Sequence, residues 1–331
     1  MPQTPAPVRI ETMVGGYVFS QLLYVVAKLK LADLTCHAPQ TVEELATATD
    51  TNRDALQRVM VPLVFLGVFQ RVSLNAYQLA PGNEQLISTH PHSLVPYILI
   101  SGDVYYKSFS ELSSSLKTGR TGCETAFGQP FFDLLQSNHD FSLHFHASMS
   151  QNIAETLDTY DFSSSHHIVD IGSGKGEIAS AIMQKYPHIH MTLFDLPSAL
   201  CDAKAYMQQQ NLTERCRFHE GDFFRDPLPG EGDTYLLSRI VHDWDDEHAL
   251  QILQTCRQAM PQTSKLLLVE FVIDNQISAR EALEDLFMLV VTGGRERTLE
   301  RFRELLRQAS LHISRVLSTK HRQCIIETVP A

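Results

Sequence analysis

The run Asp170-Ile171-Gly172-Ser173-Gly174-Lys175-Gly176 constrains this chain more than any other feature. It follows an apolar stretch, His167-Ile168-Val169-Asp170, and precedes a helical one, Ile178 to Lys185. Strand, glycine turn and helix in that order open a parallel α/β sheet that holds its ligand at the strand ends. Glycines let the backbone turn tightly and approach a ligand closely. Dinucleotide loops space them G-x-G-x-x-G; here the spacing is G-x-G-x-G, and Glu177 stands where the third glycine of that pattern belongs. Asp170, just ahead of the loop, is awkward for a pyrophosphate and suits a cationic ligand.

The stretch after about residue 165 alternates strand and helix. Strands are expected at Met191 to Phe194, Arg217 to His219, Thr234 to Val241 and Leu266 to Val272. Helices are expected at Ser198 to Gln209 and Asp246 to Met260. This is the grammar of a Rossmann-like parallel sheet. Near the end, Ile313 to Thr319 and Gln323 to Thr328 flank a tight turn, which predicts one antiparallel strand at the sheet edge. Two more acids fall at strand ends: Asp195, followed by Leu196, and Asp222, followed by Phe223. An acid about 20 residues past the loop is placed to bind both ribose hydroxyls. Asp222 is placed to pair with an adenine amino group while Phe223 packs on the ring. A lone acid is more often a cap or turn residue. Three at successive strand ends beside one glycine loop point to S-adenosylmethionine.

At 331 residues the chain is too long for one ordinary core, so two domains in tight contact are expected. Residues 12 to 90 read as mostly helix: Gly15 to Leu31, then Thr41 as N-cap with Glu44 at the capping-box position, then Asp54 to Leu66 behind Asn52. Val68 to Val72 and Ala76 to Leu79 form a hairpin around Ser73-Leu74-Asn75. Three helices and a two-stranded wing make a winged-helix pattern, which often binds DNA. The charge argues against that here. The segment 53–66 carries only Arg53 and Arg58, with Asp54 between them, and the whole chain has a formal charge of -11. A dimerisation role is the better reading, and no nucleic acid partner is expected.

Six cysteines form no C-x-x-C pair, and no histidine cluster completes a metal pattern, so no metal is expected and the thiols read as free. The N-terminus lacks a basic-then-apolar leader, and Tyr17 to Leu34 is interrupted by Lys28 and Lys30. That stretch reads as a buried helix, and the protein as cytoplasmic with no membrane partner.

His242, in Val241-His242-Asp243-Trp244-Asp245-Asp246-Glu247, follows the strand ending at Val241 and so shares the ligand edge with the glycine loop. The chain has 15 histidines, so position rather than residue type singles this one out. Trp244, the sole tryptophan, reads as core, and the acids after it as first-turn helix residues. Glu270 closes the apolar run Leu267-Leu268-Val269 and is placed to accept the His242 ring N–H. Glu296 lies in Gly293-Gly294-Arg295-Glu296-Arg297-Thr298, ahead of the helix Leu299 to Gln308; loop charge with Thr298 as N-cap is the plainer reading of that run.

Together the loop, the His-Asp-Trp run, Glu270 and the Gly-Gly-Arg-Glu-Arg-Thr run resemble the caffeic-acid/hydroxyindole type of small-molecule O-methyltransferase, over nearly the whole chain. The resemblance implies a class I methyltransferase sheet with an N-terminal winged-helix-like dimerisation domain (1–95), a helical segment contributing to the acceptor pocket (96–160) and a catalytic domain (161–331). It implies a homodimer, S-adenosylmethionine as methyl donor and a small-molecule acceptor. His242 would be the general base, bracketed by Glu270 and Glu296. The cofactor shell would comprise Asp170, Gly172, Gly174, Gly176, Asp195, Leu196, Asp222, Phe223 and Ser238. Ser238 replaces a lysine common in plant members, and His146 stands where an asparagine is common. Phe145, His146, Met149 and Asp243 are the expected acceptor contacts. A sulfonium-retaining enzyme of other chemistry and a cofactor-sensing DNA-binding regulator are the competing readings.

Overall fold

The computed structural model describes residues 9–149, 157–274, 277–319 and 323–331, and its chain divides into two compact units. The N-terminal residues read above for a leader, and part of the 96–160 stretch, lie outside the described residues.

The first unit comprises residues 1–107 and 139–151. Its helices are α1 (Ile10–Val14), α2 (Gly16–Lys28), α3 (Leu31–Thr35), α4 (Val42–Ala48) and α5 (Arg53–Phe65). The one helix expected over Gly15 to Leu31 is therefore interrupted: Lys30 takes a left-handed backbone (φ 53°), which ends α2 and re-aims α3. It is also buried only in its second half. Val26, Ala27 and Leu31 are in the core, whereas Tyr17 is 59% exposed. The Thr41–Glu44 capping box forms as expected, and Asn52 caps α5 by accepting the Ala55 N–H. The wing hairpin, β2 (Phe69–Arg71) and β3 (Ala76–Leu79), gains a third strand, β1 (Gln40–Thr41). After it come α6 (Val95–Ile100) and a π-helical turn, Ser101–Tyr105.

Chain order then runs through α7 (Tyr106–Ser110), α8 (Leu112–Thr118), α9 (Gly122–Phe127), α10 (Phe131–Ser137) and α11 (His139–Met149). The last of these belongs to the first unit, against α6.

The second unit, 108–138 and 152–331, carries the large sheet. Its elements in order are β4 (His167–Ile171), α12 (Glu177–Lys185), β5 (His190–Asp195), α13 (Pro197–Gln209), β6 (Cys216–Glu220), β7 (Thr234–Ser238), α14 (Asp246–Ala259), β8 (Lys265–Ile273), α15 (Ala279–Val291), the short β9 (Arg297–Thr298), α16 (Leu299–Gln308), β10 (Leu311–Ser318) and β11 (Gln323–Pro330). The strand order is β10-β11-β8-β7-β4-β5-β6, with β9 beside β8. Strands β4 to β8 are parallel. β11 is the antiparallel member, but it lies one place in from the edge, because β10 folds back against it as the outer strand.

Alternate residues of each strand feed two cores. Leu266 and Leu268 pack with Ile252, Leu253, Phe302 and Leu305 on one face. Leu267 and Val269 pack with Ile182, Met183 and Leu200 on the other. Burial on both faces explains why these strands read as continuous apolar runs. The order reverses at β4, since the chain moves outward to β5 and β6 and then returns to β7. Open sheets bind ligands at that reversal, outside the carboxyl ends.

Candidate active site

The glycine loop leaves β4 at the reversal point. Gly172 (φ 70°) lies so near Ile240 that an added Cβ would come within 2.5 Å of its side chain. Gly176 (φ 83°) caps α12, and a Cβ there would meet Met207 at 2.7 Å. Both positions demand glycine on backbone and on space. The Gly174 N–H donates to Asp195 Oδ2 at 2.7 Å, and Asp195 Oδ1 accepts its neighbour Leu196's N–H at 2.7 Å. Asp195 thus braces the loop, with lone pairs left to accept further bonds.

Asp170 is 1% exposed, and its Oδ2 has no hydrogen-bond partner among the described residues. Burial, together with Asp195, raises its carboxyl to about 7. Burial raises Asp195 to about 6 against the pull of its two N–H donors. A buried Asp170 with no ion pair among the described residues fits a ligand that brings positive charge, as a sulfonium or ammonium does, while half-buried Asp195 keeps lone pairs for ligand hydroxyls. Asp222 holds the turn after β6: its Oδ1 accepts the Phe224 N–H at 2.9 Å, and its own N–H donates to Asp226. The Phe223 ring lies beside Gly172, edge-on to Phe224. Ser238 ends β7, half-buried.

Sequence reasoning passed over Arg239. A left-handed φ of 55° at this residue cuts β7 short at Ser238, not Val241. The guanidinium lies 5.7 Å over the Phe271 ring, and its buried Nε has no hydrogen-bond partner among the described residues. A left-handed non-glycine residue leaves no mark in the sequence, so only the fold reveals this turn.

The strand's early end starts a short turn, Val241–Asp243, that buries His242 to 2% exposure. His242 Nδ1 lies 3.0 Å from Glu296 Oε1 and 4.0 Å from Glu270 Oε2. The carboxylate that accepts the ring N–H is therefore Glu296, not Glu270 as the sequence suggested. Glu270, fully buried, spends its Oε1 on the Ile240 and Val241 N–H groups at 3.1 and 2.8 Å. It fixes the turn's backbone, leaving Oε2 unbonded beneath the imidazole. Asp243 Oδ1 sits 3.9 Å from Nε2 on the other side of the ring. Burial alone would lower the imidazole; Glu270, Asp243 and Glu296 overcome it and raise His242 to about 9. Burial also raises Glu270, to about 7, although His242 opposes it.

The loop after α15 closes on this turn. Glu296 is anchored by its own N–H to Asp285 at 2.9 Å. The Arg295 N–H donates to the His242 carbonyl, and a Cβ on Gly294 would fall 2.0 Å from that oxygen. Trp244, expected in the core, sits half-buried at its margin, stacked on Phe132 at 5.4 Å. Phe145, His146 and Met149 lie on α11 in the first unit, where the Phe145 and His146 rings are 5.7 Å apart.

Fold and site together define a class I methyltransferase: a glycine loop and uncompensated acids at the reversal point, beside a buried histidine bracketed by carboxylates. The O-methyltransferase domain model matches residues 109–312, and the O-methyltransferase dimerisation domain model matches residues 11–86. The phenazine O-methyltransferase of Lysobacter antibioticus is 35% identical over 96% of this chain and 94% of its own length. The O-demethylpuromycin O-methyltransferase of Streptomyces alboniger is 33% identical over 95% and 86%. An O-methyltransferase from neocarzinostatin biosynthesis, solved with S-adenosylmethionine and 2-hydroxy-5-methyl naphthoic acid, superposes with a TM-score of 0.89 at 28% identity, covering 98% of this chain and all of that one. The chain belongs to the S-adenosylmethionine-dependent small-molecule O-methyltransferase family. No helix among the described residues is long and apolar enough to cross a membrane.

Proposed function

We propose that this enzyme methylates a hydroxyl group on a small aromatic secondary metabolite, with His242 as general base. The observation that carries the reading is the 3.0 Å contact between Nδ1 and Glu296. When Nδ1 carries the ring proton and donates it to that carboxylate, Nε2 is left as the basic nitrogen. Bound S-adenosylmethionine supplies an electrophilic methyl group. Asp170, Gly172, Gly174, Gly176, Asp195, Leu196, Asp222, Phe223 and Ser238 would hold it at the reversal point, where Asp170 would complement its positive charge and Asp195 would accept its ribose hydroxyls. His242 Nε2 takes the hydroxyl proton, and the Glu296–Glu270 pair stabilises the imidazolium that results.

Magnitudes support this division of labour. A phenol near ~10 and an ordinary histidine near ~6.5 leave roughly 5 kcal/mol against full proton transfer. With the carboxylates raising His242 to about 9, most of that mismatch is removed. The compensating cost is that most molecules carry the imidazolium at neutral pH, so His242 must first lose its proton to solvent.

The relatives act, by name, on phenazine, O-demethylpuromycin and hydroxybenzoate acceptors. We infer an aromatic hydroxyl here too. Phe145, His146, Met149 and Asp243 are assigned to acceptor binding, the first three by family resemblance. Residues 1–95 are assigned to dimerisation, 96–160 to the acceptor-binding helices and 161–331 to catalysis, in a homodimer. Incubation with methyl-labelled S-adenosylmethionine and a hydroxyphenazine, a hydroxynaphthoate and a hydroxybenzoate tests the reading. Label in the phenol is the expected result. Cofactor-dependent change without label would mean other chemistry, and retention on DNA alone would mean a regulator.

A further inference from the structure

The guanidinium of Arg297 is 2% exposed, an unusual place for so polar a group. Its Nε donates to Asp246 Oδ1 at 2.9 Å. Its Nη1 donates to the Val241 carbonyl at 2.8 Å and, more weakly, to Arg295 O at 3.4 Å. Its Nη2 donates to the Trp244 carbonyl at 2.7 Å. Val241 and Trp244 flank His242 and Asp243. One planar fork therefore grips the backbone on both sides of the imidazole, and Asp246, at the start of α14, holds the fork in plane. Within the turn the Val241 carbonyl accepts the Trp244 N–H at a long 3.4 Å, so the guanidinium gives it the shorter of its two hydrogen bonds. A lysine offers one point of donors on a flexible stem and cannot span both carbonyls and the carboxylate at once.

We propose that Arg297 is a positioning residue for methyl transfer: it locks the turn carrying His242 and so fixes where Nε2 faces. The kinetic part of this rests on His242 being the base; the position of the ring does not. Arg297 also bears on the charge of the site. The groups facing it are Asp246 from α14, Glu270 from β8 and Arg295 from its own loop. Those facing His242 are Glu270, Asp243 and Glu296. Because the imidazole owes its raised proton affinity to those carboxylates, a turn that shifts away from them lowers its titration midpoint.

The test uses R297M, R297K and D246N in the full-length protein, labelled with 15N-histidine, and H242Q to assign the His242 signals. In R297M the downfield Nδ1 proton shared with Glu296 is expected to broaden or vanish, and the His242 titration midpoint to move acidward as that contact is lost. With whichever of the three phenols above turns over fastest, kcat is expected to fall about 100-fold, the scale of an ångström's misplacement. The Kd of S-adenosylhomocysteine, read by calorimetry, is expected to stay within about threefold, which separates positioning from cofactor binding. R297K and D246N should show the same changes, smaller. An unchanged proton signal and midpoint in folded R297M overturns the proposal. So does loss of Tm and S-adenosylhomocysteine affinity in step with kcat, which marks a scaffold role only. If R297M does not fold, R297K and D246N are judged by the same two outcomes. The proton signal and titration need no acceptor, so they stand even if none of the phenols is methylated.

Discussion

His242 is held by groups that push its proton affinity in opposite directions, and the balance is measurable. Because the carboxylates outweigh burial and raise it to about 9, the basic form grows as pH rises. Turnover is expected to climb about tenfold per unit through neutral pH and level off near 9, as a pH–rate profile with a phenolic acceptor will read. A plateau near 6.5 would remove the carboxylates from the mechanism. Glu296→Gln and Glu270→Gln should each move the plateau acidward, because each removes a charge that favours the imidazolium. His242→Gln should lower kcat by about 10²–10⁴-fold with little effect on S-adenosylhomocysteine affinity. Wild-type turnover in that variant would end the base assignment. At this scale the sequence pointed to His242, Glu270 and Glu296 but gave the ring N–H contact to Glu270, where the fold gives it to Glu296. Glu270 sits at a strand end and was visible there, yet its Oε1 is taken by two backbone N–H groups. Glu296 lies 54 residues from His242 and meets it only through the fold. Arg239 had no sequence signal, because its left-handed backbone is not encoded by a glycine.

Element boundaries follow local chemistry where a cap or a strained residue sets them. The Thr41–Glu44 box and the Asn52 and Thr298 caps fall where side-chain type predicts. α2 and β7 end early because Lys30 and Arg239 turn left-handed, which no propensity pattern announces. The glycine loop is the element with the least tolerance. Gly176→Ala combines a φ of 83° with a Cβ 2.7 Å from Met207 and is expected to destabilise by on the order of 2 kcal/mol. Urea unfolding will read that loss, and calorimetry a matching loss of S-adenosylhomocysteine affinity. A fully stable, cofactor-binding G176A protein would refute the account of the loop. The closing hairpin was legible as two strands, but the position of β11 inside β10 depends on which partner each edge finds.

For the whole molecule, the buried acids make stability depend on pH in a direction opposite to that of salt-bridged carboxylates. Asp170 and Asp195 sit at about 7 and about 6 when folded, above the usual carboxylate range. The folded state therefore holds more protons than the unfolded chain between about 4 and 7, and unfolding free energy falls as pH rises through that window. Their contribution to the Tm of the cofactor-free enzyme should decline from pH 5 to pH 8. The Tm gain on adding S-adenosylmethionine should grow over the same range, since its cation suits ionised Asp170 and its ribose hydroxyls donate best to ionised Asp195. Scanning calorimetry with and without cofactor reads both, and a pH-independent gain would detach the acids from the cofactor. The dimerisation domain leaves Ile10, Met13 and Val14 at 75%, 66% and 72% exposure in the single chain. Met13→Glu with Val14→Glu is expected to convert a dimer to a monomer in sedimentation, and a wild-type protein already monomeric would exclude the homodimer.

The α/β class, the winged-helix pattern, the glycine loop with its acids, and His242, Glu270 and Glu296 as candidate site residues are all legible in the amino-acid sequence. All of these depend on residue type and short spacing, which local sterics and capping chemistry translate directly into structure. That Glu296 accepts the His242 ring hydrogen bond, that Glu270 holds the turn's backbone, and that Arg239 and Arg297 flank the turn emerge from the fold alone. Those assignments depend on which distant carbonyls and carboxylates are brought within 3 Å of one another. Pairings of that kind are set by how β7, β8 and the loop after α15 pack, and no local pattern contains them.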